Sequence, residues 1–175
     1  MRISGATDSV QILEASTPVH YQQARDLIVE LMAWDCAQVA ELGLDGTLAE
    51  SFYYSQGGFQ LPGEYAPPDG LLLVALEEDQ AAGCVAFSKF SPGVCELKRM
   101  YVRPAYRGRR LGARLVATLL KRARQANYSL IRLDTVVFMK SAIGMYQSMG
   151  FQVCETYYEI PQAFREITVF MELSL

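Results

Sequence analysis

The sequence predicts a single domain of the α/β (mixed α+β) class, in which one mixed sheet carries helices on both faces. Between residues 71 and 102, three apolar runs are separated only by short polar turns, a pattern typical of antiparallel hairpins. Strand and helix patterns then alternate, which indicates a crossover connection between parallel strands. A chain of 175 residues, 51% of them hydrophobic, is long enough for one well-buried core, so we predict one domain over residues 1–175.

The first 70 residues are predicted to supply one strand and two helices. Val10–Glu14 has the pattern of a short strand, and Thr17-Pro18 then provides a helix N-cap and a first-turn proline. Apolar residues recur at helical spacing until Gly43, where we predict that this helix stops. A shorter helix over Thr47–Tyr54 follows. The segment 55–70 holds seven glycines and prolines, so it is predicted to be a loop.

The middle of the chain is predicted to form three strands, which are Leu71–Glu77, Ala82–Ser88 and Val94–Val102. The third of these strands changes phase. Its apolar residues occupy odd positions at Cys95 and Leu97 but even positions at Met100 and Val102. Because side chains alternate between the two faces of a strand, this change requires one extra residue. We therefore predict a β-bulge near Lys98-Arg99.

The second half of the chain alternates between helices and strands. The predicted elements are a helix over Arg109–Ala126, a strand over Ser129–Thr135, a helix over Met139–Met149, and strands over Phe151–Tyr157 and Phe164–Leu173. The first of these helices has a continuous apolar stripe that includes Leu111, Leu115 and Leu119. Gly150 is the predicted end of the second helix.

Composition excludes several classes of protein. No apolar run approaches the roughly 18 residues of a membrane-spanning helix. The first residues lack the apolar core of a signal peptide, so we expect a cytoplasmic protein with no membrane partner. The four cysteines are widely spaced, and with a single histidine they offer no plausible zinc ligands, so we expect no metal. We expect these cysteines to be buried free thiols.

Positive charge is concentrated in one segment. Residues 98–124 contain ten cations and no carboxylate, which leaves six cations against 19 carboxylates elsewhere, a net charge of −13. Such a segment indicates a concentrated anionic ligand, most simply one that bears phosphate groups. An arginine-rich helix face that only promotes solubility is the alternative interpretation.

The segment Tyr101–Leu115 reads as the end of a strand, a short turn with glycine and arginine, and the start of a long helix. The N–H groups of a helix start have no partner within the helix, and together with the helix dipole they bind phosphate oxygens. Gly108 and Gly112 allow a ligand to approach the backbone closely. The segment matches neither a Walker loop nor the G-x-G-x-x-G pattern. These residues alone therefore predict a pyrophosphate site without choosing a nucleotide.

Three ordered motifs resemble the GNAT superfamily of N-acetyltransferases. Arg107–Gly112 is similar to the acyl-CoA motif Q/R-x-x-G-x-G/A, with Arg110 where the family usually has glycine. Glu96–Pro104 resembles the family's fourth strand, and Ile131–Thr135 its fifth. Ala142–Phe151 is similar to the next helix with its LY-x-x-x-GF ending. The resemblance covers roughly residues 71–157 and implies a mostly antiparallel sheet of about seven strands with a bulged fourth strand.

The resemblance also implies an activity and a site. The protein would transfer an acetyl group from acetyl-CoA to a primary amine by direct attack, without a metal. Its pantetheine-binding residues would be Met100, Tyr101 and Val102, and its pyrophosphate-binding residues would be Arg107, Gly108, Arg109, Arg110, Leu111, Gly112 and Ala113. Tyr146 would protonate the leaving thiolate, and Glu96 or Asp134 would deprotonate the amine. The residues alone favour a different interpretation, in which Tyr146 is an ordinary core tyrosine and Glu96 a solvated strand residue.

Acceptor binding is assigned to two aromatic, proline-punctuated segments. The loop 55–70 and the segment 157–164 flank the acceptor side in the family, so we expect Tyr65, Tyr157 and Tyr158 to shape the acceptor pocket, with plain packing as the alternative. The acceptor would be an amine of a small molecule, a peptide end or a lysine, and a homodimer is a possible assembly. A non-enzymatic basic-surface module that binds CoA or nucleic acid is the alternative function. The low pI, about 5.2, and the few aromatics in the basic segment disfavour nucleic acid.

Overall fold

The computed structural model describes residues 9–55 and 59–175. Within these residues, seven strands form one sheet in the order β1-β2-β3-β4-β5-β7-β6. The strands are β1 (Gln11–Glu14), β2 (Leu71–Glu77), β3 (Gln80–Ser91), β4 (Val94–Val102), β5 (Leu130–Val136), β6 (Gln152–Val153) and β7 (Thr168–Ser174). The helices are α1 (Pro18–Glu41), α2 (Gly46–Ser55), α3 (Leu111–Gln125), α4 (Lys140–Ser148) and α5 (Gln162–Arg165). The predicted mixed class is confirmed.

Helices cover both faces of the sheet, as predicted. On one face, Leu27 and Ile28 of α1 pack with Cys84 of β3. On the other face, Leu115 and Leu119 of α3 are fully buried in the main core, together with Val85 and Phe87. Adjacent residues of β3 thus point to opposite layers. The candidate site lies in the sheet, between the helix α1 on one face and the helix α3 on the other.

Local signals correctly placed the ends of the long first helix. Thr17 is its N-cap, and the Thr17 Oγ1 atom accepts a hydrogen bond of 3.2 Å from the backbone N–H of His20. Pro18 occupies the first helical position, where the missing N–H costs nothing. The helix ends at Glu41, and Gly43 then adopts a positive φ of 78°. That left-handed conformation is one that glycine adopts without steric cost.

The predicted bulge is present in β4. In the register with β3, Tyr101 lies opposite Cys84 and Lys98 lies opposite Ala86, so two residues of β4 face one residue of β3. Arg99 takes up the extra length with a φ of 58°. Apolar residues before and after the bulge, such as Leu97 and Met100, consequently pack into the same core against α3. This explains the change of phase in the sequence.

Two predictions for the C-terminal region are wrong. The strand predicted over Phe164–Leu173 starts only at Thr168, because Phe164 lies in α5 and buries its ring against Val39 and Ile160. The strand predicted over Phe151–Tyr157 is reduced to β6.

The alternation of strands and helices in the second half of the chain predicts parallel neighbours, and the observed pairing differs. β7 lies between β5 and β6 and is antiparallel to both, so β5 and β6 are not neighbours. Within the described part of the chain, β4 and β5 are the one parallel pair.

The remaining predictions concern the loop and the cysteines. Ser55 ends α2, residues 56–58 of the predicted loop lie outside the described residues, and a 3₁₀ turn forms at Gly63–Tyr65. All four cysteines are free thiols, with Cys84 and Cys95 buried and the other two half-buried. Among residues 9–55 and 59–175, no helix is long and apolar enough to cross a membrane.

Candidate active site

The candidate site lies where the two parallel strands separate. β4 and β5 pair only from Val94–Glu96 with residues 130–132, and beyond that point the strands diverge. The bulge at Arg99 bends β4 on the side of this opening. The remaining part of β4, through Val102, therefore presents an edge that β5 does not cover.

A cavity of about 190 Å³ occupies this opening. β4 contributes residues 97–100 to its lining, and β5 contributes Asp134 and the two residues after it. α1 covers the cavity from above with Leu31, Asp35 and Val39, while α4 supplies Tyr146. The lining residues come from segments far apart in the chain, so the cavity depends on the topology of the sheet rather than on one motif.

Asp134 is the carboxylate that β5 contributes to the cavity. Burial, together with the nearby negative charge of Glu96, raises the pKa of the Asp134 carboxyl to about 6. The charge of Lys98 and a hydrogen bond from the Tyr158 hydroxyl oppose this shift. A carboxyl with this pKa is mostly ionised at neutral pH yet close enough to accept and release a proton during a reaction.

Glu96 lies behind the cavity wall rather than on it. It is only 5% exposed, and its two carboxylate oxygens are both engaged. The Tyr157 hydroxyl donates a hydrogen bond of 2.7 Å to Oε1, and Lys98 Nζ lies 3.2 Å from Oε2. Lys98 Nζ also lies 3.7 Å from Glu64 Oε1. Of the two predicted bases, Asp134 is therefore the one that a molecule in the cavity would meet.

Tyr146 enters the cavity from the α3 side of the sheet. Its ring is 3% exposed and packs edge-to-face on Phe151, with the ring centroids 5.5 Å apart. Burial raises the pKa of the Tyr146 phenol well above its ordinary value, and the charge of Asp134 raises it further. The phenol therefore keeps its proton at every physiological pH and enters a reaction in its protonated form.

The three tyrosines predicted at the acceptor pocket lie just outside the cavity. Tyr65 is 3% exposed in the core beneath β2 and β3, and its hydroxyl accepts a hydrogen bond of 3.0 Å from Nε of Arg99. Tyr157 contacts Glu96, and Tyr158 contacts Asp134. Each tyrosine thus holds a charged residue of the site through its hydroxyl.

Sequence reasoning missed Asp35, Lys98 and Arg99 as cavity residues. Asp35 did leave a signal, because it stands four residues after Leu31 and four before Val39, both of which are buried. An acidic residue inside the apolar stripe of a helix is unusual. Lys98 and Arg99 belong to the basic segment. No local sequence pattern distinguishes these two cations, which line the cavity, from the other cations of that segment.

The turn before α3, where an anion site is predicted, contains two left-handed residues. Gly108 has a φ of 77° and Arg110, the residue before the helix, has a φ of 58°, so two positions adopt left-handed conformations. The N–H groups of the first turn of α3 have no partner within the helix. A Cβ atom at Gly112 would lie 3.1 Å from Met100 Cε and 3.3 Å from Met145 Sδ, so this glycine lets α3 pack closely on β4 and α4.

Most cations of the basic segment are engaged within the protein. The seven with a hydrogen-bond or ion-pair partner are Lys98, Arg99, Arg103, Arg107, Arg109, Arg114 and Arg122. Arg103, for example, pairs with Glu30 of α1 at 2.7 Å. Four of these cations, Lys98, Arg103, Arg109 and Arg122, form ion pairs with glutamates outside or at the edge of the basic segment.

Comparison with known proteins identifies the family. The model of the acetyltransferase (GNAT) family matches residues 31–151, which include both diverging strands, the turn before α3 and Tyr146. The chain belongs to the GNAT family. This result confirms the resemblance found in the sequence motifs.

Individual GNAT relatives support the same assignment. An uncharacterized N-acetyltransferase of Schizosaccharomyces pombe is 44% identical over 100 residues, which cover 56% of this chain and 61% of the relative. An IAA acetyltransferase of Azospirillum brasilense is 37% identical over 87 residues, covering 49% of this chain and 57% of the relative. The matched regions thus span less than two thirds of the length of these relatives.

Solved GNAT-fold structures resemble the chain over nearly its whole length. An acetyltransferase from Streptococcus agalactiae is 26% identical with a TM-score of 0.70, covering 96% of this chain and 99% of the other. The paia N-acetyltransferase from Thermoplasma acidophilum, solved in complex with coenzyme A, has a TM-score of 0.73 at 19% identity, covering 95% and 99%. At that identity the second likeness establishes the fold.

Arg110 stands at the position where the GNAT motif has glycine, and it adopts a conformation that favours glycine. A left-handed conformation costs a residue with a Cβ atom roughly 1 to 2 kcal/mol. We therefore expect the Arg110→Gly variant to have a free energy of unfolding about 1 kcal/mol above that of Arg110→Ala, since both lose the guanidinium and only one relieves the strain. Urea unfolding of the two variants measures this difference, and equal midpoints would contradict the assigned backbone conformation.

Proposed function

We propose that the protein is an acetyl-CoA-dependent N-acetyltransferase that acts on a primary amine of a small molecule or peptide. In this proposal the amine attacks the acetyl thioester directly. Asp134 is the general base, Tyr146 is the general acid, and Glu96 assists Asp134 through its charge. Membership of the GNAT family supports the reaction class.

One observation carries the assignment of roles. A single cavity is lined by Asp134, Tyr146 and the bulged segment of β4, so a proton acceptor, a proton donor and a strand edge face the same space. Acetyl transfer from a thioester to an amine needs these three functions, because the amine must lose a proton and the thiolate must gain one. The raised pKa of Asp134 and the protonated phenol of Tyr146 match those needs.

The donor substrate, acetyl-CoA, is assigned to the edge of β4 and the turn after it. The uncovered backbone at Met100, Tyr101 and Val102 would hold the pantetheine arm like an added strand. The pyrophosphate would lie on the first turn of α3, with the residues Arg107, Gly108, Arg109, Arg110, Leu111, Gly112 and Ala113 around it. Arg107 is oriented there by a hydrogen bond of 3.0 Å from its Nε to Val102 O.

The proposed chemistry balances without a covalent enzyme intermediate. Asp134 takes a proton from the ammonium form of the acceptor, directly or through one water, and the free amine nitrogen attacks the thioester carbonyl carbon. A backbone N–H that the bulge releases from the ladder would stabilise the negative charge on the carbonyl oxygen. The carbon–sulfur bond then breaks, and the leaving thiolate takes the proton of the Tyr146 hydroxyl. The second proton of the attacking nitrogen returns through water to the Tyr146 phenolate, and Asp134 releases its proton to solvent. The products are the N-acetyl amine and CoA.

The three acceptor-side tyrosines are proposed to act through the charged groups that they contact. Tyr157 and Tyr158 donate to Glu96 and Asp134, and Tyr65 fixes Arg99 at the bulge. Tyr157 is itself held by Arg132, whose Cζ lies 4.9 Å from the centre of its ring. These contacts would keep the carboxylates of Glu96 and Asp134 in place while the acceptor binds.

Binding of the donor substrate can be tested by a thermal-shift titration with acetyl-CoA, CoA, ATP and a short DNA duplex, at low and moderate salt. We expect a saturable rise in melting temperature with acetyl-CoA and CoA, a weak rise with ATP and none with DNA, since a ligand that binds only the native state stabilises it. A shift with DNA alone that disappears with salt would favour the basic-surface module instead. No shift with any CoA species would contradict the proposal.

A further inference from the structure

The two walls of the cavity each contribute one carboxylate, and the rest of the lining is apolar except for Lys98, Arg99 and two threonines. We propose that the acceptor is a small monoamine with an apolar body, whose single ammonium group is held between Asp35 and Asp134. Asp35 is then a specificity-determining residue that selects a cationic acceptor. This inference rests on the proposed N-acetyltransferase function and narrows its substrate class.

The two carboxylates of the lining lie on different elements. Asp35 belongs to α1, which covers the cavity, and Asp134 belongs to β5, which forms its floor. The Oδ1 atom of Asp35 is shielded from solvent, since Leu31 and Val39 flank it on the same stripe of the helix. A carboxylate that is shielded from water attracts a cation much more strongly than one on the surface.

The two cations of the lining also have partners outside it. Lys98 Nζ is within 4 Å of two further carboxylates, those of Glu96 at 3.2 Å and Glu64 at 3.7 Å. The guanidinium of Arg99 donates to the hydroxyl of Tyr65. Together with Glu96 and Glu64, which lie next to the lining, the cavity has four carboxylates against two cations. This excess of negative charge favours an acceptor that enters as an ammonium ion.

The apolar part of the lining restricts the acceptor to one charge. The apolar part of the lining includes the side chains of Phe138, Ile160 and Phe164. A second ammonium, as in a polyamine, would lie against these groups without the water or carboxylates that it needs. An alkyl chain or aromatic ring gains free energy in the same place.

Amide groups of a peptide are disfavoured for a similar reason. The two threonine hydroxyls of the lining have already donated their protons, Thr135 to Met139 Sδ and Thr168 to Phe164 O, so neither can donate to an amide C=O. Buried amide N–H and C=O groups without partners cost free energy. The volume of about 190 Å³ is also below the roughly 300 Å³ at which pockets for drug-sized ligands begin.

The first test compares acceptors with the wild-type protein. With acetyl-CoA saturating and CoA release as the readout, we expect kcat/KM for 2-phenylethylamine and hexylamine to exceed that for spermidine and for a tripeptide α-amine by about tenfold or more. Faster acetylation of spermidine or the tripeptide would overturn the inference while leaving the N-acetyltransferase function intact. If no amine is acetylated and no CoA species binds, the proposed function itself fails.

The second test addresses Asp35 with a matched control. Asp35→Asn is expected to raise the KM for 2-phenylethylamine about tenfold or more while kcat changes little, because a charge-assisted contact is lost and the base is kept. Asp26→Asn makes the same change on an exposed position of α1 and should leave both constants unaltered. An unchanged KM in Asp35→Asn would overturn the assignment of Asp35.

A competitor experiment on the wild-type protein does not depend on how the variant folds. N,N-dimethyl-2-phenylethylamine is a cation that cannot be acetylated to a neutral amide, and 2-phenylethanol is its uncharged analogue. We expect the cation to inhibit at a concentration about tenfold or more below that of the alcohol, in competition with the acceptor. Equal inhibition by the two compounds would show that the cavity does not select charge and would overturn the inference.

Discussion

Replacing Asp134 by asparagine is expected to lower kcat by about 100- to 10,000-fold, the range that a positioned general base contributes. Asparagine keeps the shape of the side chain and an oxygen that can accept the hydrogen bond from Tyr158, but it cannot accept a proton from the ammonium group. Steady-state kinetics with acetyl-CoA and a primary amine acceptor measure the loss. Binding of acetyl-CoA in the thermal-shift assay should be unaffected, since the donor site lies on β4 and α3.

The pH dependence gives this prediction a second readout. Because the carboxyl of Asp134 has a pKa of about 6, the base form is lost as the pH falls through that value. We expect kcat/KM of the wild-type protein to rise with pH up to about 6 and then to flatten with respect to this group, apart from the titration of the acceptor amine itself. The rise near pH 6 should be missing in Asp134→Asn.

Stability should change in the opposite direction to activity. Folding raises the pKa of Asp134 above its ordinary value of 3.8, so the ionised carboxylate costs stability. That cost is absent below about pH 4, grows as the pH rises to about 6, and is complete above it. At one pKa unit per 1.36 kcal/mol, Asp134→Asn should gain on the order of 3 kcal/mol at pH 8 and almost nothing at pH 4.

Glu96→Gln is the matched comparison for this variant. It removes a charge that raises the pKa of Asp134, so the rise in kcat/KM should move to lower pH while most of kcat remains. If Glu96→Gln instead abolished the rise near pH 6 and Asp134→Asn kept it, Glu96 would be the base. In that case the acceptor would have to displace the hydrogen bond of Tyr157 to reach it.

The sequence alone was sufficient for those parts of the fold that depend on local patterns. The change of apolar parity across Leu97 and Met100 located the bulge, because a strand must keep one face towards the core. Thr17 and Gly43 marked the ends of α1 for equally local reasons. The insertion of β7 between β5 and β6 is not local, because the order of strands depends on contacts between segments far apart in the chain.

The same division applies to the candidate site. The motif around Arg107–Gly112 located the turn before α3, and Tyr146 came from a motif on α4. Choosing between Glu96 and Asp134 required knowing where β5 leaves β4, since both residues are polar positions on the same face of the sheet. Asp35 stands out as an acidic residue in the apolar stripe of α1, but assigning it to the site required knowing that α1 crosses that opening.

Tyr146→Phe is expected to lower kcat by about 100-fold while leaving the KM for both substrates nearly unchanged. The substitution removes only the hydroxyl that protonates the leaving thiolate, a step that contributes after both substrates are bound. The ring itself remains packed on Phe151, and the volume of the side chain is almost conserved. We therefore expect the free energy of unfolding to change by less than about 1 kcal/mol.

Tyr128→Phe separates this effect from the general consequences of losing a tyrosine hydroxyl. Tyr128 is also buried, but its hydroxyl donates a hydrogen bond of 2.7 Å to Asp69 O, away from the cavity. Its removal leaves a carbonyl without that partner and should cost about 1 kcal/mol of stability with kcat unchanged. Tyr146→Phe should show the reverse, lost activity with retained stability. If Tyr146→Phe lost stability but kept its activity, Tyr146 would be a core residue and the proton for the thiolate would come from water.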